Sequence, residues 1–159
     1  MILIALGANL PSAAGAPRET LEAAISALGQ RGITIKDRSG FYKSAAWPNA
    51  SDPAFVNAVV RVETALDPAA LLATLHAVER EFGRERGVQN APRTLDLDLL
   101  DYDAHVAWGP PELPHPRIGE RLFVLLPLAD IAPEWRHPVS GRTVSELIAA
   151  APPMDITRM

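Results

Sequence analysis

The stretch from Leu95 to Leu100 constrains the fold more than any other part of this sequence. Successive side chains of a β-strand point to opposite faces, so Leu95, Leu97 and Leu99 would share one face. Asp96 and Asp98 would share the other, with their backbones about 6.6 Å apart, close enough for both carboxylates to converge on metal ions. The leucines predict a strand packed on an apolar core, and the carboxylates predict a polar site on its opposite face.

Charge around this strand favours a phosphate site. Aspartate is uncommon in strands, and two like charges on one face repel, so a positive group is expected nearby. Guanidinium groups suit bidentate binding of phosphate oxygens, and Mg²⁺ is typically held by one or two carboxylates together with substrate phosphates. Four arginines precede the strand: Arg80, Arg84, Arg86 and Arg93. The pattern favours a nucleoside triphosphate with its metal ions, and the alternative is a solvated edge strand with an acidic outer face.

Composition narrows the class of protein. A chain of 159 residues, 48% hydrophobic and 21% charged, is typical of one globular domain, here residues 1–159. The absence of cysteine excludes disulfides, thiolate zinc sites and a cysteine nucleophile. The net charge of −4 argues against a nucleic-acid partner. The apolar run 1–7 is too short for a signal peptide and lacks a basic start, so we expect a buried strand, no membrane partner and a cytoplasmic location.

Periodicity predicts an α+β fold. Apolar residues at helical spacing predict a first helix that ends near Gly29, and Asp67 followed by Pro68 predicts the start of a second. Strands are predicted over 2–7, 33–43 and 55–64, and from Asp96 onward. This βαββαβ order indicates a ferredoxin-like core with helices on one sheet face and the other face open for a site. Residues 105–159, with short helices predicted over 121–129 and 143–150, form an extension of helices and loops that covers the same domain.

Five motifs occur in a fixed order along the chain. They are Leu6-Gly7-Ala8-Asn9-Leu10, Phe41-Tyr42-Lys43-Ser44, Phe55-Val56-Asn57-Ala58, the run from Pro92 to Asp98, and Pro114-His115-Pro116-Arg117 followed by the run from Arg121 to Leu128. Through them nearly the whole chain resembles the 6-hydroxymethyl-7,8-dihydropterin pyrophosphokinases. The resemblance implies a ferredoxin-like monomer that transfers pyrophosphate from ATP to the pterin hydroxymethyl group and releases AMP, in folate biosynthesis.

The resemblance also implies a set of site residues. Asp96 and Asp98 would bind two Mg²⁺ ions, and they would act in catalysis with Arg84, Arg86 and Arg93. ATP would contact Leu72, His76, Glu79, Arg84, Arg86, Arg93, His115 and Arg121, with Arg84 and Arg86 on a loop that closes over the phosphates. The pterin would stack on Phe55 and Phe123, with its edge read by Asn57 and by the backbone of Ser44, Ala45 and Trp47. For Glu79 the alternative is an ion pair with Arg80 or Arg86 on a solvated helix face.

Two other functions fit the same pattern. One is a different Mg²⁺-dependent phosphotransferase or nucleotidyltransferase on a ferredoxin-like fold, which would have no use for two aromatic platforms beside an amide. The other is a ligand-sensing module without catalysis, in which the two aspartates would be incidental.

Overall fold

The architecture is a six-stranded antiparallel sheet with helices on both faces. A computed structural model describes residues 1–45, 53–83 and 94–159 of the chain. The elements are β1 (Ile2–Ala8), α1 (Pro17–Gly29), β2 (Ile33–Arg38), β3 (Tyr42–Ser44), β4 (Phe55–Thr64), α2 (Pro68–Glu81), β5 (Asp96–Tyr102), β6 (Ala107–Trp108), β7 (Glu112–Leu113), a 3₁₀-helix (Ile118–Glu120), α3 (Leu122–Ile131), α4 (Val144–Ala150) and β8 (Ile156–Arg158).

The strands of the main sheet follow the order β5-β1-β4-β3-β8, and β2 also pairs with β4. Every pairing in this sheet is antiparallel. The C-terminal extension contributes the edge strand β8, so the prediction of an extension made only of helices and loops is incomplete. Strands β6 and β7 form a separate two-stranded sheet.

The single strand predicted over 33–43 is wrong, because the structure divides it into β2 and β3. Arg38 pairs with Val60 and Tyr42 with Asn57, so three residues on one side oppose two on β4. Two hydrogen bonds of Ser39 stabilise the break between the strands. Its N–H donates to the Val59 carbonyl at 2.9 Å, and its Oγ accepts from the Val59 N–H at 2.9 Å. This hydrogen bond to a backbone group that is distant in sequence interrupts the regular ladder, and periodicity alone does not reveal it.

Helices α1 and α2 cover one face of the sheet and bury its larger apolar cluster, which includes Leu95, Leu97 and Leu99. The predicted start of α2 is confirmed, since the Asp67 side chain accepts the Ala70 N–H at 2.8 Å. An N-cap of this type satisfies one of the donors that a helix start leaves unpaired. The leucine face of β5 therefore lies in the core, as its alternation predicts.

The opposite face is only partly open. Helix α3 packs on it, with Val124, Leu125 and Leu128 against Leu3 and Val59. Asp96 and Asp98 lie on this face, and the uncovered part beside them forms a cavity. In the described parts of the chain, we find no helix with both the length and the apolar character needed to span a membrane.

Candidate active site

The cavity has a volume of about 540 Å³ and draws its walls from distant parts of the chain. Its floor comes from β1, β4 and β5, and its walls come from the segment that leads into α3 and from residues 152–154. The lining residues are Ala5, Leu6, Gly7, Ser44, Ala45, Phe55, Asn57, Asp96, Asp98, Arg117, Glu120, Arg121, Phe123, Val124, Pro152, Pro153 and Met154. A concave site with apolar walls and a few converging polar groups is the usual form of a small-molecule site.

Strand register places Asp96 and Asn57 in one row across the floor. Gly7 pairs with Asp96 on one side and with Asn57 on the other, so the two side chains share a face about 10 Å apart. Gly7 lies between them and has no side chain to fill the gap. A Cβ atom at Gly7 would lie 3.2 Å from Asn57 Oδ1, a close contact. The floor therefore stays open between a carboxylate and an amide.

Two basic side chains approach the second carboxylate. Arg121 Nη1 lies 3.7 Å from Asp98 Oδ2, and the Arg121 guanidinium carbon lies 5.5 Å from the centre of the Phe123 ring. His115 Nε2 lies 3.9 Å from Asp98 Oδ1. The backbone N–H of His115 donates to the Leu100 carbonyl at 2.9 Å, which ties this loop to β5. The positive charge expected beside the aspartates is thus supplied in part by Arg121.

His115 is neutral at pH 7. Burial, reinforced by the nearby charge of Arg121, lowers the pKa of His115 to about 4, although Asp96 acts in the opposite direction. Its close approach to Asp98 is therefore not an ion pair. Nδ1 accepts the Arg117 N–H at 3.2 Å, so the ring proton is assigned to Nε2, the nitrogen that faces Asp98. A neutral imidazole in this orientation can donate a hydrogen bond toward the site.

Glu79 holds the strand that carries both aspartates. Its side chain is only 1% exposed, and Oε2 accepts the backbone N–H of Leu97 at 2.8 Å. Leu97 lies between Asp96 and Asp98, so α2 anchors the outer edge of β5 at the point where the carboxylates project. The alternative of a solvated helix face for Glu79 is wrong, because packing of α2 against β5 buries this position.

The other end of the floor carries groups suited to a flat heterocycle. Asn57 Nδ2 donates to Ser44 Oγ at 2.8 Å, which fixes the amide in place. An amide has two N–H donors and an acceptor oxygen, so this contact uses only one of the groups with which Asn57, a lining residue of the cavity, can form hydrogen bonds. Phe55 and Phe123 are both half-buried and line the same space. Aromatic rings beside an amide can stack on and orient a heterocyclic ligand.

The structure brings together most of the predicted residues that it describes. Eight of them line the cavity: Ser44, Ala45, Phe55, Asn57, Asp96, Asp98, Arg121 and Phe123. His115 adjoins it through Asp98. None of the described lining residues comes from α2, which carries Leu72, His76 and Glu79. Trp47, Arg84, Arg86 and Arg93 lie outside the described residues.

The fold and the site can be compared with known proteins. The model of the 7,8-dihydro-6-hydroxymethylpterin-pyrophosphokinase (HPPK) family matches residues 3–133. The chain belongs to the HPPK family. It is therefore an ATP-dependent pyrophosphokinase of folate biosynthesis, and the family resemblance seen in the sequence motifs is confirmed.

Individual HPPK proteins agree with this assignment. The 2-amino-4-hydroxy-6-hydroxymethyldihydropteridine pyrophosphokinase of Pseudomonas aeruginosa is 41% identical over 160 residues, which cover 99% of this chain and 96% of that protein. The enzyme of the same name from Synechocystis is 40% identical over 148 residues, 92% of this chain and 73% of its own length. A crystal structure of wild-type Plasmodium falciparum HPPK-DHPS with pteroate has a TM-score of 0.72. It is 14% identical and matches 93% of this chain but 41% of its own, so it supports the fold alone.

Several residues of this HPPK site could not be predicted from the sequence. Gly7 lies inside a predicted motif, but its place between Asp96 and Asn57 depends on strand register. Residues 152–154 line the cavity although they lie beyond the stretch that matches the family. The two prolines there indicate only an irregular segment, so the sequence contains no local signal that would place them at the site.

Proposed function

We propose that this HPPK family member binds the triphosphate of ATP at the Asp96 and Asp98 end of the cavity and the pterin at the Asn57 end. The hydroxymethyl group would then meet the β-phosphorus of ATP, and AMP would leave. The observation that carries the proposal is the shared face: a carboxylate pair and a fixed amide lie in one cavity, with a glycine between them. One ligand that stacks on the aromatic side chains could reach the other at the carboxylates.

The carboxylate pair fits magnesium. Among the residues that the structure describes, no cluster of three or more acidic, histidine or cysteine side chains forms a closed metal cage. Mg²⁺ does not need one, because it retains waters and is commonly held by one or two carboxylates plus substrate phosphates. We propose that Asp96 and Asp98 hold two such ions with ATP. When bound, the ions supply charge neutralisation for the phosphoryl oxygens and polarise the attacking hydroxyl group.

The residues of the chain would position the two substrates and balance the charge of the phosphates. Arg121, which lies 3.7 Å from Asp98, is placed to balance phosphate charge next to the carboxylates. Neutral His115 would donate a hydrogen bond from Nε2 to a phosphate oxygen without adding charge to the site. Asn57 would hold the pterin edge in plane, while Phe55 and Phe123 exclude water from its faces. Such preorganisation is the main contribution a protein makes to phosphoryl transfer.

The remaining predicted contacts belong to the same proposal. Arg84, Arg86 and Arg93 would close over the triphosphate, with Trp47 beside the pterin edge. Leu72 and His76 would contact ATP from α2. Glu79 would act on ATP through β5, because its carboxylate accepts a hydrogen bond from the backbone N–H between the two aspartates.

We further propose a single ferredoxin-like domain over 1–159 that acts as a monomer in the cytoplasm, where it uses ATP and a pterin. The order β5-β1-β4, with β2 and β3 both paired to β4, supports the ferredoxin-like topology. The net charge of −4 supports a small-molecule site over a nucleic-acid surface. Size-exclusion chromatography with light scattering would test the monomer.

The decisive experiment separates the products formed from ATP, Mg²⁺ and 6-hydroxymethyl-7,8-dihydropterin. AMP and a pterin diphosphate are expected from the wild-type protein, and Asp98→Asn should lower the rate at least about a hundredfold. Asp103→Asn is the matched control, because Asp103 lies just after the same strand with an exposed side chain. Release of ADP, or no turnover, would contradict the proposed reaction and favour a different phosphotransferase or a non-catalytic module.

A further inference from the structure

The segment 152–155, here the C-terminal strap, forms one wall of the cavity. Its residues Pro152, Pro153 and Met154 line the same space as Asn57 and Asp96. The strap lies beyond residue 133, where the match to the family ends. The C-terminal part of the chain therefore contributes to the cavity together with β4 and β5.

Both ends of the strap are attached to ordered elements. At its start, the Ala151 N–H donates to the Leu147 carbonyl at 2.9 Å and closes the last turn of α4. At its end, the Ala45 N–H donates to the Asp155 carbonyl at 3.1 Å, and Ile156 then pairs with Ser44 as β8 joins β3. The strap thus bonds directly to Ala45, and β8, which follows it, pairs with Ser44; both residues are among those assigned to the pterin edge.

A cluster at the end of β8 secures this attachment. Arg158 Nη2 lies 3.5 Å from Asp130 Oδ2, and its guanidinium carbon lies 5.8 Å from the centre of the Tyr42 ring. The Tyr42 hydroxyl donates to Asp130 Oδ1 at 2.9 Å, and the Gly40 N–H donates to Asp130 Oδ2 at 3.0 Å. Arg158 is largely exposed, so its ion pair alone contributes little to the stability of this attachment. The backbone hydrogen bonds between β8 and β3 contribute most of it.

The residues of the strap differ in stiffness. Each proline ring fixes its own φ angle, so Pro152 and Pro153 form a wall with little conformational freedom. Met154 is unbranched and half-buried, and a side chain of this type adapts its shape to an irregular apolar surface. A rigid wall that ends in one adaptable apolar side chain suits contact with the edge of a flat ligand.

The sheet order determines which ligand the strap meets. The carboxylates are on β5 and the strap runs onto β8, which is four strand spacings, or about 19 Å, from β5. The hydroxymethyl group must lie at the carboxylate end to meet ATP. The opposite end of the pterin, which carries the 2-amino and 4-oxo groups, therefore faces β4, β3 and the strap.

We infer that Met154 is a specificity-determining residue that closes the cavity against the amino-oxo end of the pterin. This inference rests on the proposed function. It means that Met154 contributes to pterin affinity and limits the size of substituents on the 2-amino group, while ATP binding is independent of it.

The test compares Met154→Ala with Met159→Ala, a methionine truncation at the exposed chain terminus. Pterin dissociation constants are measured by titration calorimetry with Mg²⁺ and a non-hydrolysable ATP analogue present. We expect Met154→Ala to weaken pterin binding about five- to tenfold, as loss of one or two buried methylene contacts implies. A pterin with a methyl group on the 2-amino nitrogen should gain affinity relative to the parent pterin in Met154→Ala. Met154→Leu should restore the wild-type preference, and the affinity for the ATP analogue should stay unchanged.

The outcomes distinguish this inference from the proposed function. If Met154→Ala matches the wild type for both pterins while the wild type forms AMP, the inference is wrong and the reaction stands. Equal loss of pterin and ATP-analogue binding in Met154→Ala also overturns it, since a general structural defect would explain that result. If the wild-type protein neither binds the pterin nor forms AMP, the proposed function itself fails. Should Met154→Ala not fold, as judged by near-ultraviolet circular dichroism, the same comparison is made with Met154→Gln, which keeps the chain length and removes the apolar tip.

Discussion

Replacement of Gly7 by alanine tests the geometry of the cavity floor. The new Cβ would lie 3.2 Å from Asn57 Oδ1, closer than ordinary van der Waals contact, and its next neighbour is the Val56 carbonyl at 3.9 Å. Asn57 is held by a hydrogen bond of 2.8 Å to Ser44, so it can yield only by weakening that bond. We therefore expect the amide to shift by a few tenths of an ångström at the place where the pterin edge would bind.

The magnitude follows from the bond at risk. A neutral hydrogen bond contributes about 1 kcal/mol, so its distortion should weaken pterin binding about fivefold. Stability should change little, because alanine in place of a strand glycine gains about 0.5–1 kcal/mol by restricting the unfolded chain, which offsets the strain. The affinity for a non-hydrolysable ATP analogue should stay near that of the wild type, because the clash is with Asn57 and not with a carboxylate.

Gly29→Ala provides the matched control. Gly29 is the exposed last residue of α1, and a Cβ there meets no atom within 4 Å among the described residues. This variant should be about 0.5–1 kcal/mol more stable and bind both ligands normally. Titration calorimetry and urea unfolding measure the two effects separately. Unchanged pterin affinity in Gly7→Ala, or an equal loss of ATP-analogue affinity, would refute the assignment of Asn57 to the pterin.

Three further predictions concern stability and its dependence on pH. Glu79→Gln should lower the free energy of unfolding by about 1–2 kcal/mol, because the Leu97 N–H loses a charged acceptor. The same substitution should weaken Mg²⁺-dependent ATP binding. Glu81→Gln, on the exposed side of the same helix, should change neither quantity. In metal-free protein, the lowered pKa of His115, about 4 against 6.5 when unfolded, means that the unfolded state takes up a proton first as the pH falls. The stability due to its neutral form should therefore be present above pH 6.5 and decline by up to about 3 kcal/mol toward pH 4; urea midpoints that fall equally in His115→Gln would contradict this. Thr143→Ala should cost about 1 kcal/mol in thermal unfolding by removing the capping box of α4, with ligand affinities preserved, and an unchanged melting temperature would argue against that cap.

Local features of the fold could be predicted because local chemistry determines them. The alternation of leucine and aspartate in β5, the cap at Asp67 and the helical spacing in α1 each act within a few residues, and the structure confirms all three. The break between β2 and β3 could not be predicted in this way. It depends on Ser39 bonding to Val59, which is distant in sequence.

The sequence by itself determined the chemistry available to this protein: two carboxylates on one strand face, arginines before them, and an amide and aromatic residues within motifs of the HPPK family. Only the tertiary structure decided how these groups meet. Strand register placed Gly7 between Asp96 and Asn57, packing of α2 against β5 buried Glu79, and β8 brought Met154 to the cavity. The physical reason is that periodicity records which way a side chain points along its own element. Pairing between distant elements depends instead on the free energy of packing the whole sheet and its helices, which no short window of sequence contains.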